Sequence, residues 1–142
     1  MRRYGDFLRA WLTLIWLQVC THVTSFSVLA RKLERARTFE LPPELTEAQH
    51  HRLAELAWAV RAAARRLPWH SPCLVKALAA QRLLHRAGVP GLLVIGVRSD
   101  KPAEAATTFG AHAWVQCGSL VLETGDDHRG YAPLSTYIWL GD

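Results

Sequence analysis

The chain has 142 residues, of which 50% are hydrophobic and 20% are charged. That length fits one domain of ordinary size, and that composition is typical of a globular protein rather than a disordered one. The formal net charge is +5, but no basic stripe with interleaved aromatic side chains accompanies it, so the sequence predicts no nucleic-acid partner.

The first predicted element is an apolar helix over 7–19. Arg2 and Arg3 precede it as they would in a signal peptide, but Asp6 interrupts the approach and no small-residue cleavage site follows cleanly. The apolar run is also shorter than the roughly twenty residues that cross a bilayer. Because the run is apolar nearly all round, it predicts a helix that is buried or docks on another protein, with no membrane insertion.

A second, short helix is predicted to begin near Ser27. Its outer face carries charged residues, namely Arg31, Lys32, Glu34, Arg35 and Arg37. The segment over 39–43 ends it, because its two prolines cannot continue a helix. We therefore expect a single domain over 1–142, made of a helical N-terminal arm over 1–40 and a core over 44–142.

An amphipathic helix is predicted to follow. Thr46 and Gln49 fit a capping box, and apolar residues then recur at spacings of three and four. These apolar residues are Leu53, Leu56, Val60, Ala63 and Leu67. Charged residues fall mostly on the outer face, namely Arg52, Glu55, Arg61, Arg65 and Arg66. Pro68 ends this helix.

Ser71 and Pro72 predict the start of the next helix, because serine is a favoured N-cap and proline is favoured at the first helical position. This helix is predicted to run to about Ala87, where Gly88 closes it. A continuously apolar run over 92–97 then predicts a central strand.

Two further strands are predicted, one over 111–117 with alternating residues and one over 120–124. Gly118 and Ser119 join them as a two-residue turn, so the strands are antiparallel. The tail over 131–140 follows a loop. Helices first and a small antiparallel sheet afterwards predict an α+β fold.

The three cysteines are Cys20, Cys73 and Cys117. They form no CxxC pair and no Cys/His ligand spacing, so the sequence indicates neither a disulfide framework nor a zinc module and favours the reducing cytoplasm. Cys20 lies in the first predicted helix and is expected to pack. Cys117 is expected to pack as well, because it points to the opposite side of its strand from His112.

Cys73 lies in the first turn of its predicted helix. There the positive end of the helix dipole and the unpaired backbone N–H groups favour the thiolate, which is the form that attacks a carbonyl carbon. The same N–H groups can stabilise an oxyanion. The thiol is predicted to face the sheet, because Cys73 shares one helical stripe with Ala77, Ala80 and Leu84. Free cysteines are usually buried and inert, so Cys73 alone does not establish a site.

His112 is the predicted base. It shares one face of its strand with Trp114 and Gln116, and the face of a core strand rarely carries a histidine and a glutamine. A cysteine nucleophile needs a base, and the base needs an orienting partner. Across the predicted turn Glu123 faces Trp114 and lies diagonal to His112, within reach of a long side chain. Glu123 is therefore the predicted orienting carboxylate, with Asp126 and Asp127 as alternatives.

The segment "CLVKALAAQRLLHRAGVPGLLVIGV", followed by "HAWV", resembles the transglutaminase-like cysteine protease superfamily. Within that superfamily, the approach from Trp69 to Cys73 and the segments "IGVR", "AHAWV" and "YAPL" resemble the leader peptidases of lasso-peptide biosynthesis. The resemblance is specific over 69–133. It implies a transglutaminase/papain-like core with Cys73 as nucleophile and His112 as base, and the family has an acidic residue, often aspartate, near the position of Glu123.

This resemblance implies a peptidase that removes the leader from a ribosomally made precursor and needs no metal or nucleotide cofactor. Its implied partners are the leader region of the precursor, a small leader-binding protein, and the macrolactam cyclase that receives the core peptide. Trp69, His70 and Trp114 are the predicted substrate-binding residues, with Trp114 expected foremost to pack beside His112. The alternatives are a transglutaminase-like acyl transferase or amidase, and a non-catalytic adaptor of a peptide-maturation complex.

Overall fold

Three helices and five strands make up the part of the chain that the structure describes. In this computed structural model that part comprises residues 2–23, 34–35, 44–98, 111–122 and 131–139. The helices are α1 (Arg2–Val23), α2 (Glu47–Arg65) and α3 (Cys73–Arg86). The strands are β1 (Glu34–Arg35), β2 (Gly91–Arg98), β3 (Ala111–Cys117), β4 (Leu120–Leu122) and β5 (Tyr131–Trp139). Four of the five strands follow the helices, which confirms the predicted α+β class.

The five strands form one antiparallel sheet in the order β1-β5-β2-β3-β4. β2 pairs with β3 on one side and with β5 on the other, which confirms the central strand that its apolar run predicted. Cys117 pairs with Leu120 across the turn at Gly118 and Ser119, so the predicted hairpin is confirmed. Gly118 has a φ of 60°, a left-handed conformation that costs glycine little.

Helix α2 begins with the predicted capping box. The Thr46 hydroxyl accepts from the Gln49 N–H at 3.2 Å, and the Gln49 side-chain oxygen accepts from the Thr46 N–H at 2.9 Å. The same Gln49 amide donates to the Gly88 carbonyl at 3.1 Å, which ties the start of α2 to the end of α3. The predicted apolar stripe is buried, with Leu53, Leu56, Val60, Ala63 and Leu67 all in the core.

Helix α3 ends in a tight reversal that leads directly into β2. Gly88 has a φ of 76°, and its N–H donates to the His85 carbonyl at 3.1 Å. The Val89 N–H donates to the Leu84 carbonyl at 2.9 Å, which completes a Schellman motif. The prediction that Gly88 closes this helix is therefore confirmed. Because only four residues separate Arg86 from β2, the strand returns along the helix.

The two faces of the sheet have different neighbours. On one face Leu93, Val115 and Cys117 belong to the main buried cluster, which also holds the core residues of all three helices. On the other face Leu92, Val94 and Trp114 form a second, smaller cluster. The helices therefore cover one face of the sheet, and alternation along β3 directs neighbouring residues to opposite faces.

Helix α1 divides the apolar run of the N-terminus into two faces. Ala10, Leu14 and Leu17 are buried in the main cluster, where α1 packs on α2 and α3. The opposite face exposes apolar side chains, namely Tyr4, Leu8, Leu12, Trp16 and Val19. The structure therefore buries one side of the predicted helix and leaves the other side open. Within the described ranges, no helix combines the length and the hydropathy that a membrane crossing requires.

Some predicted elements differ from the structure or lie beyond its description. Glu34 and Arg35, expected on a helix, form strand β1 because they pair with Tyr137 and Ile138 at the edge of the sheet. The start of that helix near Ser27 lies outside the described residues. Strand β4 is described to Leu122, so the last two residues of the strand predicted over 120–124 lie outside them as well.

The outer face predicted for α2 is partly an interface. Arg52 donates to both carboxylate oxygens of Asp6 on α1, at 2.6 and 2.9 Å, and also to Glu55 at 2.8 Å. Asp6 is buried and Arg52 nearly so. These residues therefore join α1 to α2, whereas the amphipathic pattern predicts that Arg52 and Glu55 lie mostly in solvent.

Candidate active site

Cys73 is the first residue of α3, and its side chain is half-buried. The N-cap is Pro72, with φ −61° and ψ 152°, and its side chain makes no capping hydrogen bond. The sequence predicts Ser71 as the N-cap and Pro72 as the first helical residue, and this prediction is wrong by one position. The reason is the extended ψ of Pro72, which places it before the helix rather than in it.

The backbone at the start of α3 can stabilise negative charge. The Lys76 N–H donates to the Pro72 carbonyl at 3.1 Å, and this is the first bond of the helical ladder. The N–H groups of Cys73, Leu74 and Val75 come before that bond and so are not used by the ladder. Together with the helix dipole they favour a thiolate at Cys73 and an oxyanion beside it.

His112 is the second residue of β3 and is only 6% exposed. Its ring stacks on Trp114, with the ring centroids 5.7 Å apart and the planes at 27°. Trp114 is itself buried in the second cluster, so its predicted packing beside His112 is confirmed. The indole fixes the plane of the imidazole, which an acid–base group needs in order to present one nitrogen to a reacting atom.

Cys73 and His112 lie at the same end of the domain. From Cys73 to Arg86, α3 rises about 20 Å at ~1.5 Å per residue. From Gly91 to Gly96, β2 returns about 17 Å at ~3.3 Å per residue, and Gly96 pairs with His112. Because α3 packs on β3, these lengths bring the start of the helix and the first residues of β3 to the same level.

The body of α3 packs on the sheet face opposite to that of His112. Ala77, Ala80 and Leu84, the stripe predicted to face the sheet, share the main cluster with Val115 and Cys117. Strand alternation directs His112 to the Trp114 side. The thiol and the ring can therefore meet only at the end of β3, where the first turn of α3 lies. The structure brings their elements together, and the Cys73–His112 dyad itself stays a prediction.

The predicted orienting carboxylate cannot be located in the same way. Glu123 and its alternatives Asp126 and Asp127 lie outside the described residues. The register on which the Glu123 prediction depends is present as far as the description reaches, since Val115 pairs with Leu122. The role of Glu123 stays a prediction.

A cavity of about 290 Å³ opens beside the first turn of α3. Its lining residues are Arg61, Ala64, Arg65, Leu67, Trp69, His70, Ser71 and Lys76. Trp69 and His70, predicted to bind substrate, both line it and are exposed. Their contact with a substrate stays a prediction, as does that of Trp114.

Comparison with known proteins gives a family for the whole arrangement. A family model described as the transglutaminase-like superfamily matches residues 6–136, which run from within α1 to within β5. The chain belongs to the transglutaminase-like superfamily. Searches among curated proteins and among solved structures found no match. The superfamily includes cysteine peptidases and acyltransferases, and it commonly has one of these two activities.

In this transglutaminase-like chain the other two cysteines have settings unlike that of Cys73. Cys117 is fully buried, and desolvation raises the pKa of its thiol to about 12. Its predicted packing role is therefore confirmed, since such a thiol stays protonated at neutral pH. Cys20 is half-buried on α1, away from any helix start.

The basic lining of the cavity is the part of this transglutaminase-like site that the sequence does not predict. Arg61 and Arg65 are expected on the outer face of α2, yet they line the cavity together with Lys76 of α3. One feature of the sequence does point to a basic surface near Cys73. Arg61 and Arg65 are four residues apart, so they share a side of α2 just before the Trp69-His70 approach to Cys73.

Proposed function

We propose that this transglutaminase-like protein is a cysteine peptidase that removes the leader from a ribosomally synthesised lasso-peptide precursor in the cytoplasm. The observation that carries the proposal is the position of Cys73 as the first residue of α3, level with the strand end that holds His112. Membership of a superfamily that includes cysteine peptidases supports the reaction class. The resemblance over 69–133 supports the choice of substrate.

The mechanism follows from the two side chains and the start of the helix. The Cys73 thiolate attacks the scissile carbonyl carbon, and the N–H groups at the start of α3 bind the oxyanion that forms. Protonated His112 gives its proton to the leaving amine, which departs and leaves a thioester on Cys73. His112 then takes a proton from water, and the hydroxide attacks the thioester carbonyl. The C–S bond breaks, which releases the new carboxyl terminus and restores the Cys73 thiolate beside protonated His112. In this scheme Glu123 orients the imidazole.

Two partners belong to the proposal. A small leader-binding protein would present the precursor, and the exposed apolar face of α1 is the surface that we assign to it. The exposed apolar residues recur on this face at spacings of three and four, and a docking helix presents such a stripe to its partner. They are Tyr4, Leu8, Leu12, Trp16 and Val19. The released core peptide would pass to the macrolactam cyclase.

The proposed dyad is tested first by the reactivity of the three thiols. The purified protein is alkylated across a pH series, and each cysteine is followed by mass spectrometry in the natural protein and in His112→Ala. We expect Cys73 to react well below the usual thiol pKa of about 8.5, and to react more slowly without His112. Cys117 is the internal control, because the burial that raises its pKa to about 12 keeps it unreactive.

The substrate is tested with synthetic lasso-peptide precursors that carry their leader regions. We expect hydrolysis at one bond, with the two products together heavier than the precursor by one water, and no cleavage by Cys73→Ala. A product that has gained an amine instead of water would identify an acyl transferase. Two results together would overturn the proposal in favour of a non-catalytic adaptor. The Cys73→Ala variant would support full formation of the pathway product, and Cys73 in the natural protein would react like an ordinary thiol.

A further inference from the structure

The cavity beside α3 lies next to the proposed nucleophile in sequence and in space. Ser71 precedes Cys73 by two residues and Lys76 follows it by three, and both line the cavity. A peptide whose scissile carbonyl lies at Cys73 would therefore bring a neighbouring side chain to this cavity. At about 290 Å³ the cavity is large enough for one side chain of ordinary size.

The charged residues described in the cavity lining are all basic. Arg61 and Arg65 on α2 and Lys76 on α3 line the cavity, and His70 lies beside them. Among the described residues that line it, none is an aspartate or a glutamate. Arg65 is exposed, and an anion bound beside its guanidinium lowers the electrostatic energy of the pair. The lining therefore favours an anionic ligand.

Ser71 adds a hydrogen-bond donor that has no use in the described fold. It is 4% exposed, and its buried hydroxyl finds no hydrogen-bond partner among the described residues. Because Pro72 takes the N-cap position, the hydroxyl does not cap α3 either. A buried hydroxyl without a partner is unfavourable, and an anionic oxygen in the cavity would accept its hydrogen bond.

Trp69 gives the cavity an apolar wall that suits a peptide. It is 39% exposed, and together with Leu67 it lines the same space as the basic residues. A half-exposed indole packs well against the methylene groups and the backbone of a bound peptide. The lining thus combines an apolar surface for the chain with basic groups for its charge.

We infer that this cavity is a carboxylate-binding subsite, which holds an acidic group of the peptide next to the bond that is cut. The inference rests on the proposed function, because the ligand is taken to be that peptide. Ser71 donates its hydroxyl hydrogen bond to the carboxylate, and Arg65 supplies positive charge at the exposed side of the cavity. The acidic group is either an aspartate or glutamate side chain or a terminal carboxylate.

The subsite can be tested without any substrate by two alkylating reagents of nearly equal size. Iodoacetate carries a carboxylate and iodoacetamide is neutral, so the ratio of their rates at Cys73 reports carboxylate binding beside the thiol. We expect Ser71→Ala to lower this ratio by about tenfold, as the loss of a hydrogen bond to a charged group predicts. Arg65→Gln should lower it by about threefold, because the ion pair of an exposed arginine is weaker. The iodoacetamide rate should not change.

Arg9→Gln is the matched control, because it removes one positive charge from the exposed side of α1, away from the cavity lining. It should leave the ratio as it is. Ser71→Ala should fold at least as stably as the natural protein, since it removes an unsatisfied buried hydroxyl. An unchanged ratio in both Ser71→Ala and Arg65→Gln would overturn the subsite.

Peptide cleavage then identifies the source of the carboxylate. Each acidic residue of the precursor is changed to its amide, and separately the C-terminus is amidated. One of these changes should raise KM in the natural protein and have little further effect in Arg65→Gln. If KM is insensitive to all of them, the subsite is wrong although the peptidase is real. If no peptide is cleaved at all, the proposed function fails, while the alkylation ratio still decides whether a carboxylate binds.

Discussion

Gly91 lies where the sheet is tightly packed against its surroundings. A Cβ atom added there would be 2.7 Å from Cys117 Sγ, 2.8 Å from the Gln116 carbonyl oxygen and 2.9 Å from the Trp139 ring. The carbonyl belongs to the paired strand β3 and cannot move away alone. We expect Gly91→Ala to lower the free energy of unfolding by about 1–3 kcal/mol, the usual effect of overpacking.

Gly5 provides the control for Gly91→Ala. It lies on exposed α1, and nothing is within 4 Å of an added Cβ atom. Because alanine is the better helix former, Gly5→Ala should raise the free energy of unfolding by up to about 1 kcal/mol. Urea titrations measure both variants. Equal midpoints for Gly91→Ala and the natural protein would contradict the close packing around Cys117.

Ser71 and Pro72 show which residue-scale features the sequence could predict. Both are good residues for a helix start, and their order favours serine as N-cap. The sequence therefore placed Cys73 correctly in the first turn and was wrong by one residue about the cap. The backbone angles of Pro72 decide that point. They depend on how the preceding turn packs, which no local pattern encodes.

At the scale of elements, α1 and α2 are joined by a buried ion pair. Asp6 accepts two hydrogen bonds from Arg52, and these bonds hold the pKa of its carboxyl below the ordinary value of 3.8. A carboxylate with a lowered pKa adds stability above its unfolded-state pKa and loses that contribution as the pH falls toward its folded-state pKa. The free energy of unfolding should therefore drop below about pH 4, and less so in Asp6→Asn.

Removal of the Arg52 guanidinium should lower the free energy of unfolding at neutral pH as well. Arg52→Met leaves the Asp6 carboxylate buried without its partner, so we expect the free energy of unfolding to fall by about 3 kcal/mol. Arg65→Met, at the exposed end of α2 and away from Asp6, is the control and should change it little. Urea unfolding at pH 7 and pH 3.5 measures both effects. A pH profile that Asp6→Asn does not alter would show that the pair contributes nothing.

The strands show where element prediction succeeds and where it fails. β2 and β3 could be predicted because an apolar run and an alternating run are local signals. β1 could not be predicted, because its two charged residues show no strand pattern and form a strand only by pairing with the edge of β5. β5 itself takes its place from pairing with β2, a contact between segments more than thirty residues apart in the chain. Helices α2 and α3 carry their own start and stop signals and were predicted nearly to the residue.

In the candidate site, too, local features could be predicted from the sequence and contacts between distant segments could not. Cys73 and His112 could be selected from the sequence because a helix start and a half-polar strand are visible there. The two residues lie at the same end of the domain because the chain reverses at Gly88 and because Gly96 pairs with His112. The cavity depends on the contact between α2 and α3, which places basic residues from both helices around one space. No spacing within the sequence reveals that convergence.

At the scale of the whole molecule, α1 contributes to the same core as the site. Its buried residues share a cluster with α2, α3 and the sheet, and the superfamily match begins at residue 6. Cation–π contacts add to this packing, with Arg82 of α3 4.5 Å from the Trp16 ring and Arg3 5.1 Å from the Trp58 ring of α2. The first helix of the predicted arm therefore supports α3, on which Cys73 depends.

Substitutions of Leu14 and Leu12 compare the buried face of α1 with its exposed face. Leu14 is 0% exposed, so Leu14→Ala should lower the free energy of unfolding by about 2–5 kcal/mol, as core truncations do. Leu12 is 54% exposed, so Leu12→Ala should change it by no more than about 0.5 kcal/mol.

Under the proposed docking, Leu12→Ala should weaken binding of the leader-binding protein several-fold in a titration, while peptide cleavage without that partner stays normal. A loss of stability in Leu12→Ala would mean that this face is covered within the chain, and unchanged binding would exclude it as the docking surface.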